Sequence, residues 1–208
     1  PAGPWSFGWK ERISGNSLSH LAYGKHLAAE NGVPIFAWQE AEDRLPSVAK
    51  VIGPGTAVSA GGQFVASPGT VYFTAGEDDS PRNFGVIRFT VPADRAGSYL
   101  INTTVRDLFD GSGQGDTDFH IARNGVEFFS RGLPPRATAA FSDTMTLGAG
   151  DRIEFLVGRG EDGRQAGSGL KISASFTLTD EPRIGVGGGR QGRRAHGHDR
   201  DAGDHARS

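Results

Sequence analysis

Cysteine is absent from the 208 residues. Neither a disulfide framework nor a Cys-ligated zinc site is therefore open to this chain, and its redox compartment is left unspecified. No apolar run reaches the length of a membrane-spanning helix. An excess of one charge sign is lacking too. The formal net charge of −2 gives no global field toward nucleic acid or an anionic membrane, so neither a nucleic-acid partner nor a membrane span is expected. Motifs with assignable catalytic roles are also missing: the chain has no Gly-x-Ser-x-Gly elbow and no His-Glu-x-x-His. The first residue is Pro1 rather than Met, as expected of a chain cut from a longer precursor whose signal peptide has gone.

What is present in quantity is turn chemistry, with 32 glycines and 11 prolines. Between the turns lie short β-rich segments. Residues 84–91 are β-branched and aromatic and stop at Pro92. Residues 98–108 alternate, with Tyr99, Ile101, Thr103 and Val105 predicted to face the core. Residues 118–123 and 126–130 flank Asn124-Gly125, a hairpin signal because a type I′ turn needs positive φ at both central positions. Further strands are expected at 141–147, 152–158 and 170–179, with others near 5–13 and 63–73. Residues 18–31 place Leu18, Leu21 and Leu27 near helical spacing and read as a helical turn, and 40–45 as another before Pro46. Many short strands with almost no helix predict an all-β, antiparallel β-sandwich of the jelly-roll type over residues 1–180. Residues 181–208 are rich in Gly, Arg and His and poor in large aliphatics, a composition expected to be a disordered tail.

Several groups of residues could carry function. The segment from Asp107 to Asp118 holds Asp107, Asp110, Asp116 and Asp118, hard oxygen donors that could take calcium (Ca2+), although the spacing is not that of an EF-hand. The same segment also reads as a solvated hairpin tip with Asx turns. Flat aromatic rings can pack against the C–H faces of sugars. Trp5, Phe7 and Trp9 share one strand face and fit a sandwich core, at least for Phe7 and Trp9. Trp38 and Tyr23, in less regular sequence, are the better candidates for an exposed ligand site. Glu154, Glu161, Asp162, His20, His26 and His120 are potential acid–base groups, but nothing in their spacing pairs them. His196 and His198 in the tail could take up zinc or nickel adventitiously.

The ordered series Pro4-Trp5-Ser6-Phe7-Gly8-Trp9, Trp38, Pro46-Ser47-Val48, Pro68-Gly69, Arg88-Phe89-Thr90-Val91-Pro92, Gly97, Tyr99, Thr117-Asp118-Phe119-His120-Ile121, Asn124-Gly125, Gly150-Asp151-Arg152-Ile153 and 155–160 resembles a known pattern. It is similar to the jelly-roll, carbohydrate-binding-module-like domain appended to secreted bacterial polysaccharide-acting enzymes and surface proteins. The second half is also similar to C1q/TNF-like jelly rolls. The resemblance implies a secreted or cell-surface, non-catalytic module that binds polysaccharide. Its alternatives are a structural or adhesion domain that self-assembles, as a C1q-like homo-oligomer does, and a polysaccharide-acting hydrolase or lyase. The chain departs from the pattern at Ser67, where relatives tend to have His, and at Ala166-Gly167-Ser168-Gly169, where an Asp-Ser-Thr group is common.

Overall fold

The computed structural model describes residues 3–111 and 115–180. Its strands are β1 (Trp5–Lys10), β2 (Ser19–His20), β3 (Tyr23–Ala28), β4 (Pro34–Gln39), β5 (Val48–Val51), β6 (Ala57–Ser59), β7 (Phe64–Ala66), β8 (Val71–Thr74), β9 (Phe84–Thr90), β10 (Gly97–Asp107), β11 (Thr117–Arg123), β12 (Val126–Leu133), β13 (Thr138–Leu147), β14 (Arg152–Gly158) and β15 (Gly169–Asp180). One sheet runs β12-β11-β14-β9-β1-β2 and the other β13-β10-β15-β8-β5-β4-β3, with all pairings antiparallel. A small β6–β7 hairpin pairs with neither sheet, but its Ala57, Phe64 and Ala66 form a second buried cluster with Ile35, Ala37, Ala49 and Val51. The fold is the antiparallel β-sandwich that the strand pattern predicts. The predicted tail, 181–208, lies outside the described residues.

Period-two alternation builds the core. Tyr99, Ile101, Thr103 and Val105 of β10 are buried, as predicted. They meet Ile87 and Phe89 of β9, Phe119 and Ile121 of β11, and Ile153, Phe155 and Val157 of β14 in one cluster. Each large apolar side chain fully buried here contributes on the order of 1.5–3 kcal/mol. The predicted hairpin turn is present, with φ of 51° at Asn124 and 78° at Gly125. The Asn124 side chain adds to it, donating to Asp151 and accepting from the Arg152 amide.

Two expectations of helix are corrected. Residues 18–31 form β2 and β3, and 40–45 form bends and turns. The one helical element among the described residues is a 3-10 turn at Ala60–Gly62. The three leucines of the first segment go to different places. Leu18 packs on the outer face of the first sheet, Leu21 is buried in the main core, and Leu27 is exposed on β3. A helix would have put Leu18 and Leu21 on one stripe.

A buried ion cluster fixes the chain that leads from β1 to β2. Lys10, Arg88 and Glu154 stand on adjacent strands, facing away from the main core. Glu154 accepts from Lys10 Nζ at 2.9 Å and from Arg88 Nη2 at 2.5 Å. The same two cations donate onward to the carbonyls of Ile13, Gly15 and Asn16. Every charge in the cluster thus has both a counter-charge and further hydrogen bonds, the condition under which buried ions are tolerated.

Candidate functional site

At the β12/β13 edge the two sheets follow one another through the chain. At the opposite edge, β1 faces β4 and β5 across a gap. Trp5 and Phe7 pair with Phe89 and Ile87, so they point inward from the first sheet. Trp38 and Phe36 pair with Val48 and Lys50, and Lys50 with Val71, so these point inward from the second. Between them lies a cleft of about 590 Å³ lined by Trp5, Phe7, Trp38, Lys50, Val71 and Ile172, among others. Its rings hold one another edge to face. Phe7 and Trp38 have centroids 4.8 Å apart, Phe36 and Trp38 4.9 Å, and His26 and Phe36 4.8 Å. Gly24 makes room for this stack, because a Cβ there would come within 2.8 Å of the Phe36 ring. Trp5, Phe7, Phe36 and Trp38 are half-buried, and His26 is exposed.

The sequence reading located this site in part. Trp38 lines the cleft. Tyr23, expected beside it, is 38% exposed and pairs with Gln39, whereas Gly24 pairs with Trp38. Tyr23 therefore points to the opposite face of the sheet, and the structure does not bring the two rings together. Trp5 and Phe7, read as core, do face inward and pack against the main core cluster, half-buried, with Trp5 meeting Phe176 and Phe7 meeting Trp38 of the facing sheet. The missed signal was available in residues 34–39, where Phe36 and Trp38 alternate with buried Ile35 and Ala37. The open face of β10 and β15 offers no ring platform: its side chains are Leu100, Asn102, Thr104 and Arg106 beside Lys171, Ser173, Ser175 and Thr177.

The four aspartates expected to hold calcium are each engaged elsewhere. Asp107 is buried and accepts from the amides of Phe109 and Arg136. Asp110 accepts from Arg106 and Lys171. Asp116 accepts from the amides of Glu161 and Asp162, at 2.8 and 3.3 Å. Asp118 accepts from Gly160 N and from His120. Among the described residues no group of three or more His, Asp or Glu side chains is arranged to hold a metal. All eight of these carboxylate oxygens thus accept a hydrogen bond within the protein.

His120 is held between two carboxylates outside the ion cluster. Its ring nitrogens lie 2.6 Å from Asp118 and 2.6 Å from Glu127. Burial alone would lower the imidazole. The hydrogen bonds and charges of Asp118 and Glu127 outweigh burial and leave it raised. Burial likewise pushes Asp118 up, but the His120 and Gly160 hydrogen bonds outweigh it and leave that carboxyl lowered. With both nitrogens occupied, neither is free to take a proton from a substrate. Glu154 is equally committed to its two cations.

No protein-family model and no curated protein matches the sequence. Solved structures do. The chain is similar to CBM51 from Clostridium perfringens GH95 in complex with methyl-galactose, at 14% identity and a TM-score of 0.41, over 83% of this chain and 100% of that one. It is similar to a family 29 carbohydrate-binding module complexed with mannohexaose, at 11% identity and a TM-score of 0.28, over 86% and 94% of the two chains. A PA14 sugar-binding domain from an RTX adhesin aligns at 12% identity and a TM-score of 0.27, over 54% and 72%. The likeness is one of fold.

Proposed function

We propose that this chain is a non-catalytic, extracellular module that binds a polysaccharide in the cleft between its two sheets. The observation that carries this reading is the set of half-buried rings, Trp5, Phe7 and Trp38, lining an open cleft of about 590 Å³, with Phe36 packed edge to face on Trp38. A sugar ring presents a C–H face that packs on such surfaces, and the rings are held in place before the ligand arrives. Rigid, edge-locked rings lose little side-chain freedom on binding, which favours affinity from a small contact area. The saturated His120 and Glu154 support a binding rather than a catalytic role. Calcium is no part of the proposal, for the reason that its four expected ligands are already bonded.

The test is a titration of the full chain against a panel of oligosaccharides, read by calorimetry and tryptophan fluorescence. Binding should shift the emission and shield Trp5 and Trp38 from acrylamide. Trp38→Ala should weaken affinity by more than about ten-fold. If no saccharide binds and sizing chromatography gives a stable trimer, the self-assembling reading replaces this one.

A further inference from the structure

We infer that the saccharide is acidic and that Lys50 selects it. This rests on the cleft being the saccharide site. Lys50 is the one charged side chain among the described residues that line the cleft. Its cross-strand neighbours are Phe36 on β4 and Val71 on β8, and neither can pair with an ammonium. The chain's other lysines behave differently. Lys10 is bound to Glu154, Lys25 to Glu42 and Asp43, and Lys171 to Asp110. No hydrogen bond or ion pair joins Lys50 to any described residue.

The placement is unusual for the strand it occupies. Val48 and Lys50 point to the same face of β5, and Val48 is fully buried in the core. Two residues further along, the same face carries a cation instead of an apolar group. A lysine there gains nothing from the protein's own charges. A ligand carboxylate or sulfate would supply the missing partner, while its ring packs on Trp38 and Phe7. Lys50 is itself solvent-exposed, so its attraction for a ligand anion is screened in part and should weaken as salt is added. The arrangement thus matches a uronic-acid or sulfated sugar: apolar ring face on one side, negative charge on the other.

The test compares oligogalacturonate, oligomannuronate and a chondroitin sulfate oligomer with the methyl-esterified form of each uronate. The full chain is used, with Lys50→Gln, Lys50→Arg and Trp38→Ala variants. At least one acidic oligomer should bind, and for a uronate about ten-fold tighter than its ester. Loss of chondroitin sulfate binding on desulfation, which leaves its glucuronate carboxylates in place, would name sulfate as the anion. Lys50→Gln should remove the preference and leave the melting temperature unchanged, and Lys50→Arg should keep the preference. Trp38→Ala should weaken acid and ester alike. Equal binding of acid and ester, or a preference that survives Lys50→Gln, overturns this inference and leaves the saccharide site standing. Binding of no saccharide, acidic or esterified, overturns both. Lys50-dependent binding of dodecanoate with no saccharide bound would show that an anionic amphiphile, not a sugar, occupies the cleft.

Discussion

Glu154 illustrates how much one side chain can govern here. It is 1% exposed, sits between Lys10 and Arg88, and through them holds the carbonyls of residues 13, 15 and 16. Glu154→Ala would leave two cations buried without their counter-charge. The expected loss is about 3–5 kcal/mol of stability, measurable by urea denaturation, with the strand face of Val86 and Leu156 uncovered as the loop detaches. His120 makes a pH-dependent contribution of a different kind. Its raised imidazole stabilises the fold at low pH, and that contribution is lost as pH rises through the folded value. Asp118, lowered, contributes above the ordinary aspartate range and loses its contribution as pH falls. Together they place the optimum of this pair between about pH 4 and 6.5. Thermal melts across pH should show stability falling above that window, and His120→Gln should flatten the fall.

At the scale of elements, the sequence legibly encodes strands whose two faces differ. The alternation in β10 and the Asn124-Gly125 turn were readable because one face is buried and one turn type demands positive φ. The β2–β3 segment was not, because Leu18 and Leu21 mimic a helical stripe by coincidence and serve separate clusters. That error concealed the register Gly24↔Trp38, and with it the separation of Tyr23 from Trp38. Trp5 and Phe7 expose a second limit. Period two gives the direction in which a side chain points, but it does not give the distance to the facing sheet. The aspartate segment shows a third limit. Composition marks oxygen donors, whereas only the fold shows that the amides of residues 109, 136, 160, 161 and 162 reach them first. Melting temperatures in excess calcium and in excess chelator should therefore agree within about 1 °C.

Across the molecule, order is graded from centre to edge. β9 and β14 lie in the middle of the first sheet and carry the most completely buried side chains, while β2 and β3 are short or exposed edge strands. Hydrogen exchange should be slowest in β9 and β14 and fastest in β2 and β3. Added ligand should slow exchange selectively in β1, β4 and β5. If protection instead appeared only at the 107–118 and 159–168 loops, the binding site would be at the end of the sandwich rather than between its sheets.

The rings and the lysine of the cleft, Trp5, Phe7, Trp38 and Lys50, all fall within the first 50 residues, while the central strands β9, β10, β14 and β15 come from residue 84 onward. Specificity and scaffold are thus written in different stretches of the chain. Substitutions in the early stretch could re-tune the preferred ligand over generations while the later stretch keeps the sandwich intact. A chimera that joins residues 5–50 of one such domain to residues 51–180 of another is the natural way to move a preference between them.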